Sequence, residues 1–150
     1  MSWLGVLQDY VSRYDDQLRK HGFSKFRSQD GPGMGAVIEW SHKLFDISVD
    51  NDRGDFILFL QCRGSKRVEF SLILAFLAAI RNGKDFAELS FKEKVGYWKL
   101  DYSLEDPFAA FFPNLEDIFA MIKTSDQATI DRWVESYYNG RKRWLFGKNF

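Results

Sequence analysis

Between residues 45 and 60 the chain has room for little except a β-hairpin. Phe45, Ile47 and Val49 alternate with Asp46, Ser48 and Asp50, a period of two that gives a strand one apolar and one wet face. The turn formers Asp50-Asn51-Asp52-Arg53-Gly54 follow. Asn and Asp bond their own backbone there, and Gly54 can take positive φ. Then Phe56-Ile57-Leu58-Phe59-Leu60 runs unbroken, the pattern of a central strand covered on both faces. Upstream, Ala36 to Ser41 reads as a strand with Val37, Ile38 and Trp40. Phe23 to Phe26 reads as a shorter strand, before a Gln29-Asp30-Gly31-Pro32-Gly33 loop. Short connections make an antiparallel meander the natural pairing.

Helical periods flank this sheet. Leu4, Leu7, Val11, Tyr14 and Leu18 recur at spacings of 3 and 4, which predicts an amphipathic helix over 3–20 closed by Lys20-His21-Gly22. Past the Arg63-Gly64-Ser65-Lys66-Arg67 loop, Leu72, Ile73, Phe76, Leu77 and Ile80 predict a helix capped by Ser71 and ended by Asn82-Gly83. Further helical pieces are predicted over 85–94, over 104–112 with Pro107 in the first turn and Pro113 as the stop, over 115–123 capped by Asn114, and over 125–138 from Ser125 to Asn139-Gly140. The stretch 96–102 has no decisive pattern. The fold class expected is α+β: an N-terminal helix, an antiparallel meander of three to five strands, and a helical C-terminal half packed on the sheet. A chain of 150 residues without repeat or long linker fits a single domain, 1–150.

The 21 basic and 21 acidic side chains cancel, which argues against a nucleic-acid binder. Aromatic residues make up 17%, enough for an aromatic core, with Tyr and Trp also the residues favoured at partner surfaces. Cys62 is the single cysteine. It reads as a reduced thiol inside a strand pattern, as in cytoplasmic proteins. Met1-Ser2-Trp3-Leu4 does not open a secretory signal. The longest apolar stretch, Phe70 to Ile80, is bracketed by Glu69 and Arg81 and is too short to cross a bilayer. A cytoplasmic chain without membrane insertion is the expectation.

The sequence carries no recognisable catalytic motif. The hairpin invites a calcium-loop reading, but position six is Asp55 where glycine is needed, and position twelve is Gln61 where an acid is needed. His21 ends a helix and His42 connects two strands, the usual places for capping or surface histidines. Gly31, Gly33 and Gly35 precede a strand, whereas a phosphate cradle opens a helix. No metal, cofactor or catalytic residue is expected.

Charge distribution says more than charge total. From 101 to 135 stand eight acids, Asp101, Glu105, Asp106, Glu116, Asp117, Asp126, Asp131 and Glu135, against Lys123 and Arg132. Solvated helix faces with dipole-matched ends produce such a pattern. So does an acidic face that attracts a basic partner. The tail carries Arg141, Lys142, Arg143 and Lys148 around Trp144, Leu145 and Phe146. It could touch nucleic acid or anionic lipid, or fold back onto the core.

Three stretches together carry a likeness: a helix ending Lys20-His21-Gly22-Phe23, a Trp40-containing strand before Phe45-Asp46-Ile47-Ser48-Val49, and Asn51-Asp52-Arg53-Gly54-Asp55 before the long apolar strand. Over about the first 70 residues the chain resembles small bacterial immunity proteins of toxin–immunity systems. The resemblance implies a non-enzymatic protein that occludes the active site of a cognate toxin, such as a cationic nuclease domain whose phosphate-binding cleft an acidic face would fill. The resemblance does not reach the acidic half, and the residues its charge run offers for that face are Glu105, Asp106, Glu116, Asp117, Asp126, Asp131 and Glu135, with Trp133 or Tyr137 as an aromatic anchor. The alternatives are a small hydrolase or transferase with an unfamiliar site, and a nucleic-acid-associated module using the basic tail.

Overall fold

The register of one sheet decides which side chains form the core. In the computed structural model, which describes residues 2–30, 35–99 and 105–146, strands β1 (Ser24–Asp30), β2 (Gly35–Ser41), β3 (Asp46–Asp52), β4 (Asp55–Gln61) and β5 (Val68–Glu69) pair antiparallel in sequence order. Trp40, Ile47, Leu60 and Val68 line up as one cross-strand row, and Ile38, Val49 and Leu58 as the next. All seven are buried. The alternate rows, Glu39-Ser48-Phe59-Glu69 and Val37-Asp50-Ile57, point to the opposite face, where each residue is half-buried. Hence β4 is not covered on both faces. Its run of five apolar residues splits into buried Leu58 and Leu60 and half-buried Phe56, Ile57 and Phe59. Arg67 shields that outer side by sitting 3.8 Å over the Phe59 ring while holding both carboxylate oxygens of Asp50 at 3.0 and 2.9 Å.

The hairpin turns more tightly than its sequence implies. Asp52 still pairs with Asp55, so only Arg53 and Gly54 bridge the strands, at φ 55° and 99°, the two-residue geometry that matches strand twist. Asn51 is 1% exposed. Its Oδ1 accepts the Gly54 N–H at 2.7 Å, and its Nδ2 donates to the Trp3 carbonyl at 3.0 Å. One side chain thus closes the turn and ties it to the first helix.

That first helix is two. α1 (Trp3–Ser12) and α2 (Asp15–Lys20) are separated at Arg13–Tyr14. Asp15 and Asp16 supply the acidic first turn of α2 that the helix dipole favours. Gly22, at φ 89°, closes it as expected. Strand β1 is longer than predicted and takes in Gln29 and Asp30, while the predicted loop residues Gly31, Pro32 and Gly33 lie outside the described residues. A register slip between Lys25 and Arg27 makes a bulge at Phe26, which is 56% exposed. Charged residues and a bulge are how natural sheets blunt an edge.

Helix α3 (Phe70–Arg81) follows β5 directly and ends at Gly83, φ 68°. Ser71 is no cap: its Oγ accepts the Trp98 indole N–H at 3.1 Å. The predicted helix over 85–94 is instead a single 3-10 turn, Phe86–Glu88, and then α4 (Phe91–Lys99). Ser90 and Glu93 form a reciprocal capping box at its start. Helix α5 (Pro107–Thr124) runs through Pro113. Pro113 cannot bond the Ala109 carbonyl, but Ala109 is exposed and water can take that oxygen. Asn114 accepts from Arg81 in place of capping. Helix α6 (Gln127–Phe146) begins at Asp126, whose Oδ1 takes the Thr129 N–H at 2.7 Å, and continues through Gly140.

The fold is α+β, with an N-terminal helix, a meander sheet and a helical second half. It forms two compact units, residues 1–70 with 105–113, and residues 71–104 with 114–150. In the first, Phe108 and Phe111 of α5 pack on the sheet. The Phe108 ring lies 5.9 Å from Trp40, and the Phe111 ring 5.9 Å from Phe23 and 5.7 Å from Phe70.

Candidate functional site

The acidic positions proposed from sequence divide by unit and by role. In the sheet unit, Glu105 is exposed, and Asp106 is committed to structure. Asp106 accepts the hydroxyls of Tyr10 and Tyr14 at 2.6 and 2.5 Å, and also caps the Ala109 N–H. Burial works to raise its pKa. The two hydroxyls, the Ala109 N–H and the charge of Arg13 outweigh burial and hold the carboxyl below the usual range. Burial and the same carboxylate push Tyr14 up to about 12 and raise Tyr10 as well. Asp106 is therefore a buttress of the core and a poor partner contact.

In the helical unit the buried stripe of α6 is Ile130, Trp133 and Tyr137, at spacings that keep them on one face. Trp133 is 6% and Tyr137 5% exposed, so neither is available as a surface anchor. Trp133 packs on Phe76 at 5.4 Å and donates its indole N–H to Asp85 Oδ1 at 3.0 Å. Asp85 also caps Ala87 and takes Arg132 at 3.0 Å. Burial raises the Asp85 pKa, but the hydrogen bonds from Trp133, Ala87 and Arg132 hold it low. Beside this hub Lys94 is 6% exposed, with Nζ 3.4 Å from the Ala87 carbonyl and 5.8 Å from the Phe86 centroid. Burial depresses its pKa, against the pull of Glu88 and Asp85. This hub, unseen in the sequence, fastens α6 to the 3-10 turn. Its only advance signal was a tryptophan at the helical period of Ile130.

The acids of α5 and α6 all stay exposed, but several are already engaged within the chain. Asp117 is engaged by Arg81 at 2.6 Å, Asp126 by the start of α6, and Asp131 accepts from Gln127 at 2.9 Å. Glu116 and Glu135 are exposed and make no ion pair among the described residues. Asp131 and Glu135 stand one turn apart on the side of α6 away from its buried stripe. Asp101 lies outside the described residues.

The histidines sit among aromatic rings. His21 is 5.8 Å from Phe112, and His42 is 4.6 Å from Phe23 with its Nδ1 accepting the Leu44 N–H at 3.1 Å. Cys62 lies just past the end of β4 and is half-buried, short of the strand interior expected for it. Among the described residues no group of three His, Cys, Asp or Glu is placed to hold a metal, and no helix is long and apolar enough to cross a membrane. No protein-family model, curated protein or solved structure matches the chain.

Proposed function

We propose that the chain is a non-enzymatic binding protein of the immunity type, which neutralises a bacterial toxin in the cytoplasm by covering its active site. The observation that supports this reading is the set of exposed acids on the two long helices of the helical unit. There Glu116, Asp131 and Glu135 face solvent on helices whose opposite faces are firmly packed. A packed scaffold fixes where those acids leave the backbone, so only their side chains lose freedom when they meet a cationic cleft. The anchor role first given to Trp133 and Tyr137 passes to the half-exposed Tyr138, 38% accessible on α6, since amphipathic aromatics at a rim can bury on association.

The test is capture followed by inhibition. The tagged full chain is used to isolate partners from the cell that makes it. A stoichiometric complex with one protein whose enzymatic activity is suppressed in the complex and restored on dissociation supports the reading. A captured partner that is equally active bound and free contradicts occlusion.

A further inference from the structure

We propose that the C-terminal end of α6 is a peripheral docking element for an anionic lipid surface. The inference does not depend on the toxin reading. The helix outruns the surface it packs on. Ile130, Trp133, Tyr137 and Gly140 recur along one face, and Trp144 is the next position on that stripe. Yet Trp144 is 72% exposed, with the Phe91 ring 6.2 Å away. Leu145 is 52% exposed beside it. Arg141, Lys142 and Arg143 are all exposed as well.

At 100° per residue, Trp144, Arg141, Leu145, Tyr138 and Lys142 fall in that order on one arc of about 160°. Arg143 lies off it. Two cations therefore interleave with three apolar or amphipathic side chains. A bilayer rich in anionic headgroups answers both halves of that pattern. Phosphates attract Arg141 and Lys142, Trp144 suits the interfacial zone, and Leu145 can leave water for the acyl boundary. A nucleic acid supplies phosphates and base faces but no apolar layer for Leu145. Asp131 and Glu135 lie two to four turns earlier on the same helix. Their repulsion lets only the last turns approach, so the helix dips by its end. The contact is reversible, since one short apolar tip with two cations is a weak anchor.

The experiment is co-sedimentation of the full chain with vesicles of phosphatidylcholine alone and of equal parts phosphatidylcholine and phosphatidylglycerol, at low and high salt. Circular dichroism confirms that each variant is folded. The expected result is binding to the anionic vesicles alone, weakened by salt. Arg141→Glu with Lys142→Glu should reduce it more than tenfold, because each cation near such a surface is worth about fivefold. Trp144→Ser with Leu145→Ser should reduce it by a similar factor, and Arg143→Glu, off the arc, by clearly less. The proposal is overturned by no binding at low salt, by binding that the Trp144 and Leu145 changes leave intact, or by tighter binding to a DNA or RNA duplex than to the vesicles.

Discussion

The Tyr10 hydroxyl donates to Asp106 Oδ1 at 2.6 Å, joining residues 96 apart in the sequence. Tyr14 donates to the other oxygen, and the Phe108 N–H reaches back to the Tyr10 oxygen at 3.3 Å. Tyr10 also stacks on Phe56 of β4 at 4.3 Å and 7°. One carboxylate thus fixes α1 and the start of α5 on the same side of the sheet.

Removing that carboxylate should therefore be costly and pH-linked. Its folded pKa is depressed, so its contribution is present above the ordinary carboxylate pKa and disappears as pH falls through the lowered folded value. Asp106→Asn should lose stability at neutral pH and flatten the acid limb of the stability curve. Tyr10→Phe should cost about 1.5–3 kcal/mol, as for a hydrogen bond to a charged group. Urea unfolding between neutral and acid pH measures both. An acid limb as steep in Asp106→Asn as in the parent chain would show that other carboxylates set it.

The hairpin should be intolerant at two positions. Gly54→Ala must hold φ near 99°, which L-residues resist, and should cost about 1–2 kcal/mol. Asn51→Leu leaves the Gly54 N–H and Trp3 carbonyl without their partner, an expected loss of about 1–3 kcal/mol for each group left buried. Thermal melts check both. Arg53→Gly, which relieves the positive φ of Arg53, should be neutral or slightly stabilising.

Gly140 is a packing residue. A Cβ there would stand 2.6 Å from Cδ1 of Phe91, so α4 and α6 approach as closely as they do because no side chain intervenes. Gly140→Ala should destabilise the chain by about 1–3 kcal/mol through overpacking, despite the better helix propensity of alanine. Adding Phe91→Leu should recover part of the loss, a non-additive pair. Equal losses in single and double variants would refute the steric account.

These residues also show where sequence reading succeeds and where it stops. The hairpin is legible because period, turn chemistry and register agree locally, but its turn is shorter than the sequence implies and its second strand is covered on one face only. Pro113 and Gly140 read as helix stops because local propensity says so. Packing around them decides otherwise: the close approach to Phe91 requires the glycine, and a solvent-facing carbonyl tolerates the proline. Helices 3–20 and 85–94 were each predicted whole and are broken, at Arg13–Tyr14 and at Leu89–Ser90, since hydrophobic spacing survives a one-residue shift in winding. The acidic run was counted correctly, but charge counts do not reveal that Asp106 is bound to two tyrosines or that Trp133 lies inward. The period-3.6 stripe with Ile130 did hold that last fact.

The affinity of the captured partner for a charge-reversed chain tests the functional claim most directly. Glu116→Lys, Asp131→Lys and Glu135→Lys together leave the packed faces of α5 and α6 untouched. Isothermal titration of this variant should show a Kd raised by at least about tenfold over the parent, roughly 1.4 kcal/mol, with most of the gap closing at high salt. An unchanged Kd at low salt would contradict Glu116, Asp131 and Glu135 as parts of the interface.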